Sequence, residues 1–133
     1  MIEEKGYGKI NLALCITGRR PDGYHDIDTV FQSIALCDTI RLERADDVQL
    51  TCSEPALPCD RSNLAYKAYE AMRPYCKGSS GVHIHIEKHI PIAAGLAGGS
   101  TDCAAVLRGL NRLWQLHFSD SRLCEIGAAL GAD

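Results

Sequence analysis

The first stretches of the chain alternate between apolar and polar residues, and helical spacing takes over further on. Residues 7–17 (YGKINLALCIT) alternate and then turn apolar, which predicts a strand. Gly18-Arg19-Arg20-Pro21-Asp22-Gly23 breaks it with turn-forming residues. Residues 27–36 (IDTVFQSIAL), rich in β-branched and aromatic side chains, predict a second strand. A tight turn at Cys37-Asp38 would lead into alternating residues 39–44, and Asp46-Asp47 into a short strand over 48–52. The expectation here is an antiparallel β region with short connections.

Past a loop over 53–61, an apolar face of Leu64, Ala68, Ala71 and Met72 predicts a helix from Ser62 or Asn63 to about Tyr75. Gly78-Ser79-Ser80-Gly81 ends that segment. Residues 82–89 alternate strictly, with Val82, Ile84 and Ile86 on one face and His83, His85 and Glu87 on the other, as a half-buried strand requires. Val106, Leu107, Leu110, Leu113 and Trp114 line one side of a helix from about Ser100 to Trp114. Ser119 would cap a last helix running to about Leu130, with Phe118 and Leu123 as its staple. The order, roughly ββββ-α-β-α-α, is an α+β pattern within one domain.

Composition narrows the function. Apolar residues make up 46% of the 133, enough for a core, and the 23% charged is ordinary for a globular chain. A net charge of -3 argues against nucleic acid as the main partner. No apolar run is long enough to span a membrane, and the N-terminus lacks a signal-peptide core, so a cytoplasmic protein is expected. Seven cysteines, an odd number with no CxxC pair, point to reduced thiols rather than a disulfide framework or zinc site. His83, His85 and His89 invite a metal reading. No third ligand is convincingly placed, and a polar solvent face accounts for them better, so no metal is assigned. The ending Leu130-Gly131-Ala132-Asp133 reads as a helix that has just stopped, so the chain is expected to end before its fold is complete and to be inactive alone.

The chemical signal is concentrated in Pro91-Ile92-Ala93-Ala94-Gly95-Leu96-Ala97-Gly98-Gly99-Ser100-Thr101-Asp102, between a strand and a helix. Small residues let a backbone approach a ligand closely. The first turn of a helix offers unpaired N–H groups and a positive dipole end, and together these cradle phosphate. A Walker A loop is excluded because no lysine follows the glycines, and a dinucleotide fingerprint because its first glycine is missing. A tight packing connection remains the plainer alternative for such a stretch.

This stretch resembles the central signature of the GHMP kinases, P-x-x-x-G-L-x-G-S/G-S/T-A/D. Gly8-Lys9-Ile10-Asn11-Leu12-Ala13-Leu14 is similar to the family's N-terminal motif. Thr17-Gly18-Arg19-Arg20-Pro21-Asp22-Gly23-Tyr24-His25 resembles a segment of the branch whose substrate carries cytidine diphosphate, and Leu130-Gly131-Ala132-Asp133 the start of another motif of that branch. Ala93, Ala94 and Ala97 depart from glycines common in the family. The chain is also about half as long as family members, which add a second domain.

The resemblance implies a ribosomal protein S5 domain 2-like fold with a left-handed βαβ crossover. It implies ATP as co-substrate, with Mg²⁺ carried by the nucleotide. The acceptor would be a small cytidine-diphosphate-linked methylerythritol, phosphorylated on its 2-hydroxyl on the non-mevalonate route to isoprenoid precursors. Asp133 would be the base and Lys9 would hold it ionised and neutralise charge on the phosphoryl group. Asn11 would contact substrate, Tyr24 and His25 would form part of a cytosine pocket, and Phe31 would line it. Asn63 and Lys88 would lie near adenine and ribose; by themselves they read as a helix-start residue and a solvated strand end. Ser100 or Thr101 would hold Mg²⁺ or a phosphate oxygen, or cap the helix, and Asp102 would favour the helix dipole. Alternatives are a mevalonate- or homoserine-type kinase of the same family, or a non-catalytic S5-like binding module. The Asp22-Gly23-Tyr24-His25 segment speaks against the first, and Lys9, Asp133 and the glycine-rich stretch against the second.

Overall fold

A computed structural model describes residues 1–7, 37–90 and 98–131. Among the described residues four strands form one sheet: β1 (Ile2–Tyr7), β2 (Cys37–Arg44), β3 (Gln49–Cys52) and β4 (Val82–Glu87), in the order β1-β2-β4-β3. Three helices accompany them: α1 (Leu64–Met72), continued by a 3₁₀ turn over Arg73–Tyr75, α2 (Gly98–Leu113) and α3 (Asp120–Ala129). This is the expected α+β architecture.

β2 runs antiparallel to β1 and to β4, whereas β3 runs parallel to β4. The β region is therefore not a run of antiparallel neighbours. β2 and β3 are joined by a short connection yet lie two places apart, with β4 between them. The reason is burial. Val82, Ile84 and Ile86 are wholly buried, so β4 takes the interior place and is bonded on both sides. A parallel pair needs a crossover, and α1 supplies it between β3 and β4.

The inward residues of the sheet are Ile40 and Leu42 of β2, Leu50 of β3 and the three apolar residues of β4. They meet Ala65, Ala68, Tyr69 and Met72 of α1 and Cys103, Val106, Leu107 and Leu110 of α2. Each fully buried large aliphatic side chain contributes roughly 1.5–3 kcal/mol. Trp114 and Leu123 close the core beyond α2, and Tyr69 meets Trp114 edge-on at 6.2 Å.

Several expectations are corrected at the element ends. The first strand begins at Ile2; residues 8–17 and 27–36, where strands were expected, lie outside the described residues. No turn occurs at Cys37-Asp38, because both belong to β2 and pair with Tyr7 and Gly6. Two arginines of α2 hold β1 in place: Arg108 Nε and Arg112 Nη1 donate to the Glu4 carboxylate at 3.2 and 2.6 Å. The last helix starts as expected, with Ser119 Oγ accepting from Arg122 N–H at 3.2 Å. The Phe118 ring packs edge-on against Tyr75 at 5.1 Å, under the Arg122 guanidinium. Cys124 of α3 is disulfide-bonded, against the expectation of reduced thiols throughout. Cys37, Cys52, Cys59, Cys76 and Cys103 are free thiols.

Candidate functional site

The glycine-rich stretch is entered from β4 and left into α2, and the described residues on both flanks converge on one buried cluster. Alternation explains how it forms. The inward set of β2 continues backwards from Leu42 and Ile40 to Asp38, and that of β4 continues forwards from Ile84 and Ile86 to Lys88. Ile40 pairs with Ile86 and Thr39 with Glu87, so Asp38 falls opposite Lys88. Gly6 of β1 stands on the other side of Asp38. Asp102 of α2 descends onto this row.

Lys88 Nζ donates to Asp38 Oδ2 at 2.6 Å and to Asp102 Oδ2 at 3.2 Å. The other Asp38 oxygen, Oδ1, accepts the backbone N–H groups of His89 and Ile90 at 2.7 and 2.8 Å. The Lys88 amide donates to Ser53 Oγ at 2.8 Å, tying the same point to the end of β3. The Asp38 side chain is 0% exposed, that of Asp102 1% and that of Lys88 6%.

Three ionisable groups in one dry place cannot all be charged without cost. Burial raises the Asp102 carboxyl, the neighbouring Asp38 raises it further, and it is pushed up to about 9. Burial also pushes Asp38 up, but hydrogen bonds from Asp102, the Ile90 amide, Lys88 and the His89 amide outweigh it and leave Asp38 below its ordinary value. Burial works against charge on Lys88 too, and the two carboxyl groups overcome it, so its pKa is raised. At neutral pH the cluster is Asp38⁻, Lys88⁺ and a protonated Asp102 whose hydrogen bond goes to Asp38. Its net charge is zero.

Gly6 makes room for this. A Cβ at that position would stand 3.0 Å from Thr101 Cγ2 and 3.2 Å from Asp102 Oδ1. Glycine lets β1 run directly under the first turns of α2.

Gly98 and Gly99 open the 16-residue α2, two residues before the expected start at Ser100. Ser100 and Thr101 are buried in the same first turn. The Thr101 hydroxyl is within a residue only 1% exposed and has no hydrogen-bond partner. A buried hydroxyl without a partner costs about 1–3 kcal/mol, a cost that a bound oxygen ligand would offset.

Asn63 caps α1. Its Oδ1 accepts from Ala65 N–H at 2.9 Å and its Nδ2 donates to the Pro58 carbonyl at 2.8 Å, so its side-chain bonds stay within residues 58–65. Lys88 is not a solvated strand end, because its ammonium is enclosed by the two carboxyl groups. Asp102 lies beyond the first turn of α2 and serves the cluster, not the helix dipole. Lys9, Asn11, Tyr24, His25, Phe31, residues 91–97 and Asp133 lie outside the described residues. Sequence reasoning missed Asp38 altogether. The available signal was its place in the inward set of β2, opposite a lysine in the inward set of β4.

On the outer sheet face, Thr51 Oγ1 bonds His83 Nε2 at 3.0 Å and His85 Nδ1 at 2.8 Å, and His85 Nε2 bonds Glu87 at 3.2 Å. Those rings are half-buried in a polar network rather than free in solvent. Among the described residues no group of three His, Cys, Asp or Glu stands as a metal set, and no helix is long and apolar enough to cross a membrane.

Comparison with known proteins gives a consistent picture. The family description "GHMP kinases N terminal domain" matches residues 63–133, more than half the chain. The chain is 48% identical over 132 residues to the 4-diphosphocytidyl-2-C-methyl-D-erythritol kinase of Prosthecochloris aestuarii, covering 99% of this chain and 46% of the relative. It is 53% identical over 126 residues to the kinase of the same name from Synechococcus, covering 94% and 40%. The chain thus spans less than half the length of these relatives. Among solved structures it is similar to a 4-(cytidine 5'-diphospho)-2C-methyl-D-erythritol kinase, with a TM-score of 0.58 and 36% identity over 74% of this chain and 34% of the other. The mevalonate kinase of Methanococcus jannaschii shares the fold at 11% identity, with a TM-score of 0.62 over 96% of this chain and 43% of the other.

Proposed function

The chain belongs to the GHMP kinase family, and from that premise we propose that it forms, as a single domain, the nucleotide-binding part of a cytoplasmic kinase. The whole protein would transfer the terminal phosphate of MgATP to the 2-hydroxyl of 4-diphosphocytidyl-2-C-methyl-D-erythritol.

One observation carries the reading. Directly after residues 91–97, the first turn of the 16-residue α2 carries a buried Thr101 hydroxyl with no hydrogen-bond partner. Such an arrangement suits phosphate oxygens. A hydroxyl is also a hard oxygen donor of the kind Mg²⁺ accepts, and the nucleotide phosphates would supply the remainder of the ion's shell. The choice of acceptor is supported by 48–53% identity to the cytidine-dependent kinases, against 16–17% to the solved mevalonate and homoserine kinases.

In this reading, Pro91 to Thr101 grip the triphosphate, with Asn63 and Lys88 toward the adenosine end. Tyr24, His25 and Phe31 receive the cytosine and Asn11 the polyol. Asp133 takes the proton from the 2-hydroxyl as its oxygen attacks the terminal phosphorus. The bond to the ADP oxygen breaks, and Lys9 offsets the charge that gathers on the transferring group.

ATP turnover by the whole protein, measured with the cytidine substrate, mevalonate and homoserine in turn, tests the reading. Turnover confined to the cytidine substrate is expected; comparable rates on all three overturn the assignment of the acceptor. Asp133→Asn is expected to lower kcat by on the order of 10²–10⁴, and unchanged turnover removes Asp133 from the mechanism.

A further inference from the structure

Asp38 and Asp102 have no part in the roles just assigned, and the place of the cluster they form with Lys88 points to a use. The glycine-rich stretch has two flanks. The first, Lys88 to Ile90, is held by Asp38 through two backbone amides and an ammonium. The second is the opening of α2, held through Asp102, which bonds the same ammonium. One aspartate on β2, far away in sequence, therefore governs where the stretch is entered and where it is left. Resting on the reading of residues 91–101 as the phosphate cradle, we propose that Asp38 and Asp102, joined through Lys88, are positioning residues that fix the two flanks of that cradle against each other.

The arrangement is stiff for physical reasons. Charged hydrogen bonds at 2.6–2.8 Å in a dry site are short and directional. Asp38 accepts two consecutive amides with a single oxygen, which fixes the backbone direction at His89 and Ile90 as well as its distance. The sheet register sets Asp38 opposite Lys88, and the glycine at position 6 lets Asp102 come down onto the pair. A cradle made of backbone amides binds phosphate well only if those amides are held in place beforehand, since otherwise binding must order them. Asp38 is wholly buried and spends its oxygens on the Lys88 ammonium and two flank amides, and Asp102 Oδ2 is bonded to the same ammonium, so their effect on nucleotide affinity passes through the flanks.

Asp38→Asn and Asp102→Ala, each made in the whole protein, separate positioning from mere support of the fold. Asp38→Asn keeps the shape but turns an amide toward Lys88. Asp102→Ala frees the second flank and leaves the Asp38–Lys88 pair intact, so it carries the test if Asp38→Asn does not fold. Steady-state kinetics with ATP and the acceptor varied separately are expected to show KM for ATP raised about tenfold or more, with KM for the acceptor within about twofold. Hydrogen exchange should rise at residues 88–102 while the core strands keep their protection. A folded variant whose KM for ATP is unchanged, or whose two KM values rise together, overturns the proposal. If the unsubstituted protein itself neither binds nor turns over ATP, the kinase reading falls; normal turnover with unaffected variants defeats the positioning role alone.

Discussion

Replacing Asp102 by asparagine keeps the outline of the side chain and removes its proton equilibrium. In the folded chain Asp102 holds its proton up to about pH 9; when unfolded it releases it near its ordinary value of 3.8. Between those limits the folded state carries one proton more than the unfolded state. This stabilising contribution is fully present below 3.8, declines as pH rises and is gone above about 9. One proton corresponds to a slope of about 1.4 kcal/mol per pH unit. At neutral pH, some three units above the unfolded value, roughly 4 kcal/mol has been lost relative to acid. Asparagine has no such slope, and its Nδ2 can donate to Asp38 as the carboxyl does. Asp38 stays ionised through this window because its own pKa is depressed, so the window belongs to Asp102. The assay is urea unfolding at unit steps between about pH 5 and 8, followed by fluorescence of Trp114, the one tryptophan of the chain. Other titrating groups are common to both proteins and cancel. The stability difference should move toward the variant by about 1.4 kcal/mol for each unit of pH. A difference that does not change with pH would refute the neutral carboxyl.

Two further substitutions test the frame around the site. Gly81→Ala would put a Cβ against the Ala45 carbonyl oxygen and 2.6 Å from that of Asp46; backbone must shift, and a loss of about 1–3 kcal/mol is expected by thermal or urea unfolding. A variant as stable as the parent would mean that the turn into β4 is loosely held. Asn63→Ala removes the cap of α1 and the bond to the Pro58 carbonyl, with an expected loss of about 0.5–2 kcal/mol; an unchanged urea midpoint would show that the cap contributes nothing.

The elements that are self-contained in sequence were legible. β4 follows from strict alternation, and α1, α2 and α3 from apolar faces and from caps at Asn63 and Ser119. What depended on neighbours was not. β1 opens with Ile2, Glu3, Glu4 and Lys5, a polar run that becomes a strand because β2 pairs with it and two arginines reach Glu4. Asp38 resembled a turn residue because aspartate favours turns in isolation, and only the register with Lys88 shows it facing inward. The place of β4 between β2 and β3 left no trace in connection lengths. In the candidate site, the sequence foretold a helix from about Ser100, two residues late, whereas the fate of Lys88 and Asp102 depended on Asp38, fifty or more residues upstream.

The central place of β4 also sets a timetable for the chain as it leaves the ribosome. β2 can pair early with β1, but its other edge, and all of β3, find no partner until residues 82–87 have emerged. Until then one side of β2 offers open amides and carbonyls to any passing strand. Sheet closure therefore waits on the long-range pairing of a late segment, the slow kind of step in a β topology. A nascent chain stalled before Val82 would consequently be the form most exposed to aggregation and most dependent on chaperones.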